Sequence, residues 1–218
     1  MPTQITGQAQ GLIQTISQKA GQPAAVSTGW HNELVKSDLV PRYAYLNFAG
    51  SVFTAAQTAG TVAIALTTGG TTLVLFNPNN SGKNLVLLSA CVTLEAEVNA
   101  TQQASVLLGG AATGATQTLT TPLAAQSGLV GNGVVAAAKP LVSSTFTNTA
   151  VALRYLGAFG QSANATAVGT PTITSFKDEI AGEIVVPPGA FVGVYVLTGG
   201  TLADVTLASS FSWAELPV

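Results

Sequence analysis

Residues 190–216 read AFVGVYVLTGGTLADVTLASSFSWAEL, and they decide the fold. The second half alternates: Val205, Leu207, Phe211 and Trp213 fall on one face of an extended chain, with Thr206, Ala208, Ser210 and Ser212 on the other. Successive side chains of a strand point to opposite faces, so this is a half-buried β-strand. The first half, AFVGVYVL, is apolar on both faces, which predicts a central strand, or one covered by another subunit. Gly199-Gly200 separates the two.

The same grammar extends back to Tyr43. Short runs rich in Val, Leu, Ile, Phe and Thr at 43–48, 61–66, 71–76, 84–98, 104–109, 150–156 and 182–187 are candidate strands. Breaks are expected at Gly69-Gly70, Pro78–Gly82, Gly109-Gly110 and Pro187-Pro188-Gly189. Many short strands with such turns predict an all-β fold, a sandwich or barrel, over residues 43–218. Residues 110–149 are rich in small side chains and carry one charge, Lys139. That stretch is too long for an ordinary connection, so it is expected to hold one or two short strands and an excursion between sheets, or a surface loop that meets neighbours.

Residues 1–42 differ. Ala9, Leu12, Ile13, Ile16 and Ala20 recur at helical spacing before Gly21, which predicts a short amphipathic helix. A helix so short is marginal alone and must dock on something. Residues 21–42 follow as an irregular, more charged connector with Trp30 and the chain's one histidine, His31. The expected organisation is an N-terminal helix and extended arm, 1–42, that contacts partners, and a β-sandwich domain, 43–218.

Composition limits function. Of 218 residues, seven are Lys or Arg and nine are Asp or Glu, or 7% charged. Ordinary soluble domains carry roughly 25%. A surface this poor in ions is either uncharged polar or covered by other copies and partners. The basic residues are scattered, so no row of phosphates can be neutralised and no nucleic-acid partner is expected. No run of about 18 apolar residues occurs, so no membrane-spanning helix is expected. The amino end lacks a basic and apolar leader pattern, and the N-x-[ST] matches at Asn79, Asn99 and Asn164 are read as chance.

Catalytic constellations are sparse. His31 lies in the arm, and Gly160-Gln161-Ser162-Ala163-Asn164 breaks the G-x-S-x-G pattern. One histidine and one cysteine cannot form a transition-metal cage, and no calcium-loop pattern occurs, so no metal or cofactor is expected. Cys91, in LVLLSACVTL, is expected to be an inert core thiol. NPNNSGKN (77–84) lacks the first glycine of a phosphate loop and has Asn84 where Ser or Thr is required, so it is read as a tight turn. Glu95 and Glu97 share a strand face and are read as a solvated edge; Lys177, Asp178, Glu179 and Glu183 are read as a charged loop before a strand.

Two stretches carry a resemblance. LVLFNPNNSGKNLVLLSACVTL (73–94) and GEIVVPPGAFVGVYVLTGGTLADVTLASSFSWAELPV (182–218) look like segments of tailed-bacteriophage virion proteins, through Asn77, Pro78, Ser81, Gly82 and Lys83 in the first and Pro187, Pro188, Gly189, Trp213 and Glu215 in the second. The resemblance implies a jelly-roll-like antiparallel β-sandwich, usually trimeric, on a phage particle, and carries over no catalytic residue. The expected function is a non-enzymatic capsid decoration (cement) protein, a homotrimer on the capsid surface whose partners are the major capsid protein and sister subunits. Leu12, Ile13, Ile16 and Trp30 are the expected partner-binding anchors. A tail, collar or head-fibre component is the alternative. A carbohydrate-binding module using Trp30 or Trp213 is a further one, weakened by an aromatic content of only 6%.

Overall fold

The computed structural model describes residues 26–28, 34–36, 43–62, 65–67, 69–96, 103–114, 117–120, 122–160, 175–198 and 206–218. The chain divides into two compact units, 1–45 and 46–218. In the first, β1 (Val26–Thr28) and β2 (Leu34–Lys36) pair antiparallel, Val26 opposite Lys36.

Residues 43–48, expected to be a strand, contain instead a short helix, α1 (Ala44–Phe48). AYLNF has no β-branched residue to favour extended backbone, and Ala and Leu favour helix. A left-handed Gly50 (φ 69) ends the helix. Its N–H bonds Asn47 O and the Ser51 N–H bonds Leu46 O, each at 2.9 Å, the double closure of a glycine-capped helix end.

The second unit is an all-β sandwich of two packed antiparallel sheets. Its strands are β3 (Val52–Ala56), β4 (Thr61–Val62), β5 (Gly69–Asn77), β6 (Lys83–Ala96), β7 (Gln103–Ala112), β8 (Gln117–Thr118), β9 (Gln126–Ser127), β10 (Lys139–Phe146), β11 (Val151–Gly160), β12 (Ser175–Glu179), β13 (Val185–Val186), β14 (Ala190–Thr198) and β15 (Thr206–Pro217). One sheet runs β11-β7-β14-β5-β10-β8 and the other β12-β6-β15-β3-β9, with β13 on β6 and β4 on β15. The pairs β3–β15, β5–β14, β6–β12 and β7–β11 nest inside one another along the chain, as in a long antiparallel hairpin folded across two sheets.

The expected excursion over 110–149 lies at the tip of that hairpin. It adds β9 to β3 in one sheet and β8 and β10 to the β5 side of the other. Both sheets are thus capped on one flank by strands of two residues, and very short edge strands resist unwanted pairing.

Gly109-Gly110, expected to break the chain, lies inside β7. β7 runs between β11 and β14, and the missing side chains are what the packing requires. A Cβ on Gly109 would sit 2.5 Å from Leu66 Cδ2, and one on Gly110 2.7 Å from Phe191 O. Gly69-Gly70 likewise opens β5 rather than interrupting the chain.

The core has two parts. Between the sheets lie Phe53, Leu73, Leu75, Leu87, Val92, Val194, Phe211 and Trp213 among others. Each such burial stabilises the fold by about 1.5–3 kcal/mol. A second cluster covers the outer face of the six-stranded sheet, with Val74, Phe76, Leu107, Leu141, Phe146, Phe191 and Tyr195. The Phe146 and Phe191 rings stack at 4.0 Å. Residues 191–196 are all buried, so AFVGVYVL is central as expected. Its outward residues, Phe191 and Tyr195, are covered by this chain's own Phe146, Ala150 and Leu66, with no second subunit needed.

Tyr195 is fully buried and its hydroxyl meets no hydrogen-bond partner among the described residues. Burial also pushes its ionisation well above the usual phenol range, so the ring stays neutral. Tyr195→Phe removes an unsatisfied polar atom. Chemical denaturation is expected to show stability unchanged or raised by about 1 kcal/mol. A clear loss would mean the hydroxyl has a partner.

Candidate functional site

The turn at 77–83 and the segment 186–189 meet in space. Asn77, at the end of β5, is fully buried, and its Nδ2 donates to Lys83 O and to Val186 O, both at 2.8 Å. One amide therefore ties the 78–82 turn to the segment before the Pro-Pro-Gly turn. Gly189 N–H donates to Asn77 O at 2.9 Å. Gly189 has φ 79, and a Cβ there would lie 2.3 Å from Asn79 Oδ1, so glycine is required twice over. Thr113 adds its N–H (2.8 Å) and Oγ1 (3.0 Å) to Gly189 O. NPNNSGKN is the tight turn its sequence predicts, with Ser81 N–H bonded to Pro78 O at 3.1 Å.

Trp213 and Glu215 form a second structural centre. The Trp213 indole N–H donates to Glu215 Oε1 at 3.2 Å. The N–H groups of Ala138 and Ala137 donate to Oε1 and Oε2, each at 2.9 Å. The buried carboxylate thus pins the stretch before β10 against β15. Trp213 is fully buried, which removes it as a platform for a sugar ring.

Other candidate residues are placed as follows. Leu12, Ile13, Ile16, Trp30, His31 and Glu97 lie outside the described residues. Cys91 is not in the core: Ala90, Val92 and Leu94 point inward, so strand alternation turns Cys91 to the outer face, half-buried, 3.8 Å from Ser175 Oγ. Glu95 is exposed and accepts the Gly60 N–H at 2.7 Å; its strand, β6, is an interior strand between β12 and β15, not an edge. Lys177, Asp178 and Glu179 lie within β12 rather than in a loop. Arg154 forms ion pairs with Asp178 (Nε to Oδ2, 2.6 Å) and Glu183 and donates from Nη2 to Asp178 Oδ1 at 3.3 Å, joining β11 of one sheet to the flank of the other. Hydrogen bonding to Asp178 and the two carboxylate charges hold its guanidinium above its ordinary pKa. Among the described residues, no three His, Cys, Asp or Glu side chains group to hold a metal, and no helix is long and apolar enough to cross a membrane.

What the surface does offer is uncharged apolar area. Residues 127–138, SGLVGNGVVAAA, contain no charge. Val130 and Val135 are 94% and 87% exposed, with Leu129 and Val134 beside them. Local hydrogen bonds shape the loop: Asn132 N–H donates to Leu129 O at 3.2 Å, and Val134 N–H donates to Asn132 Oδ1 at 3.0 Å. Val134 approaches Gly50, just after α1, whose Phe48 is 73% exposed. On β11, Val151, Leu153 and Tyr155 are also open to solvent. Monomers rarely display apolar side chains in such groups. The sequence signal for the loop is two apolar pairs, Leu129-Val130 and Val134-Val135, inside a glycine-rich, charge-free stretch, where no core strand would place them.

Comparison with known proteins adds no relative: no family model, no curated protein and no solved structure matches this chain.

Proposed function

We propose that this chain is a non-enzymatic structural subunit of a tailed-phage virion, a capsid decoration protein that stabilises the major capsid protein lattice from the capsid surface as a homotrimer. The observation that carries the reading is the skin: few ions, and apolar side chains at Phe48, Leu129, Val130, Val134 and Val135 exposed to solvent. Such a surface suits a protein covered by neighbours, and many weak contacts repeated over a lattice add through multivalency. The strand order supports the reading too. The four nested pairs and the alternation of strands between sheets support a jelly-roll reading of the sandwich, an architecture common in capsid proteins.

In this reading residues 1–42 form the capsid-binding arm, with Leu12, Ile13, Ile16 and Trp30 as anchors. The test is a truncation. Protein lacking residues 1–42, added to capsids of the encoding phage, is expected to stay folded and oligomeric and to lose attachment. Attachment at full occupancy would refute the assignment of the arm. Counting copies per particle separates shell from tail: hundreds fit a decoration protein, about a dozen a tail or collar component.

A further inference from the structure

The two flanks of the sandwich are finished differently. One ends in β8 and β9, two residues each. The other ends in β11, of ten residues, and β12, of five, neither paired on its outer side among the described strands. An unpaired strand edge is a template for another strand.

Along β12 the side chains of Ser175, Lys177 and Glu179 are exposed, while Phe176 and Asp178 are half-buried. Among the described residues neither Lys177 nor Glu179 makes an ion pair. The order Lys-Asp-Glu is self-complementary about its middle residue. When two antiparallel copies of β12 meet with Asp178 on the two-fold axis, Lys177 stands opposite the second copy's Glu179, and Glu179 opposite its Lys177. A centre at Lys177 would set lysine against lysine, and one at Glu179 glutamate against glutamate. Opposite charges directly across an antiparallel pair stabilise it and like charges oppose it. The axis brings the two Asp178 carboxylates together, but each is already held by its own Arg154 at 2.6 Å.

We propose that two copies of this chain pair edge to edge through β12 in this register, extending the seven-stranded sheet across a two-fold axis. A two-fold contact cannot lie inside a trimer, so in the assembled shell it would join copies of neighbouring trimers. The pairing depends on the charges of β12 and stands whether or not the chain decorates a capsid.

Charge exchange tests it with the full chain. Lys177→Glu and Glu179→Lys each put like charges in register twice per contact. In sedimentation equilibrium each is expected to weaken two-fold association by about tenfold or more, and Lys177→Glu with Glu179→Lys together to restore it. Both side chains are exposed, so thermal melting should be unchanged in all three and serves as the folding control. The proposal is overturned if the native chain shows no two-fold association, if the single variants associate like the native chain, or if the double exchange fails to recover it. Capsid attachment, measured separately, tests the arm and not this contact.

Discussion

Glu215→Ala is expected to remove about 3–5 kcal/mol of stability, read by chemical denaturation. The carboxylate accepts N–H groups from Ala137, Ala138 and Trp213 in a site where Glu215 is 6% exposed. Truncation leaves three donors with no acceptor where water barely reaches, at about 1–3 kcal/mol for each orphaned group. The negative charge is tolerated there because those donors are aimed at it, and charge-assisted bonds are the stronger kind. Glu215→Gln keeps the volume and one accepting oxygen, but turns an amide N–H toward a second N–H, and should fall between. Amide exchange at Ala137 and Ala138 should rise in both variants. Because these residues anchor the stretch behind the exposed 128–135 loop, its valines should lose their fixed presentation at the same time. A Glu215→Ala protein as stable as the native one would show that this carboxylate does not hold the excursion in place.

Asn77→Asp is expected to cost a similar amount, about 3–5 kcal/mol near neutral pH, although it changes one NH2 to one oxygen. Asn77 Nδ2 serves two carbonyls, Lys83 O and Val186 O. A carboxylate there turns lone pairs toward lone pairs in a site where residue 77 is fully buried. Burial and the two carbonyls disfavour the charged form, so the folded-state pKa of the introduced carboxyl group is raised above the unfolded value of about 3.9. The folded state then holds the extra proton. The deficit is therefore smallest below about pH 4 and grows as pH rises through the folded pKa. Parallel denaturation of native and variant protein between acid and neutral pH checks the sign. A deficit that shrinks toward neutral pH would contradict the donor role assigned to this amide.

The long strands were legible because their signal is one-dimensional: alternation in 206–213 and unbroken apolar character in 190–197 follow from which faces are buried. The apolar run 84–94 was harder. Leu85 and Leu87 point inward, then Ala90, Val92 and Leu94, because a register shift opposite Ser212/Trp213 changes the alternation. Without that bulge Cys91 looks like core; with it, Cys91 faces out. AYLNF looked like a strand on apolar content, while the deciding contact, the double closure at Gly50, involves residues outside the run. Gly109-Gly110 looked like a break because nothing local reveals that Leu66, Tyr195 and Phe191 crowd β7 from distant parts of the chain. The partners of Asn77 and Glu215 were equally hidden. Val186 is 109 residues from Asn77, and Ala137 is 78 from Glu215. The turn residues at 77–83 and 187–189 were visible as a pattern, and only the fold gives them one physical task, stitching β5, β6, β7 and β14 at one end. The anchors expected in the arm lie outside the described residues, so their role rests on the helical spacing of Leu12, Ile13 and Ile16 and on Trp30.

The decisive measurement is the native mass of the purified full-length chain across a wide concentration range. A skin with so few ions, bearing open valines on 128–135 and on β11, is predicted to close on copies of itself, giving a trimer or a multiple of it that persists on dilution. A single, fully soluble monomer at the highest concentration reached would contradict the account.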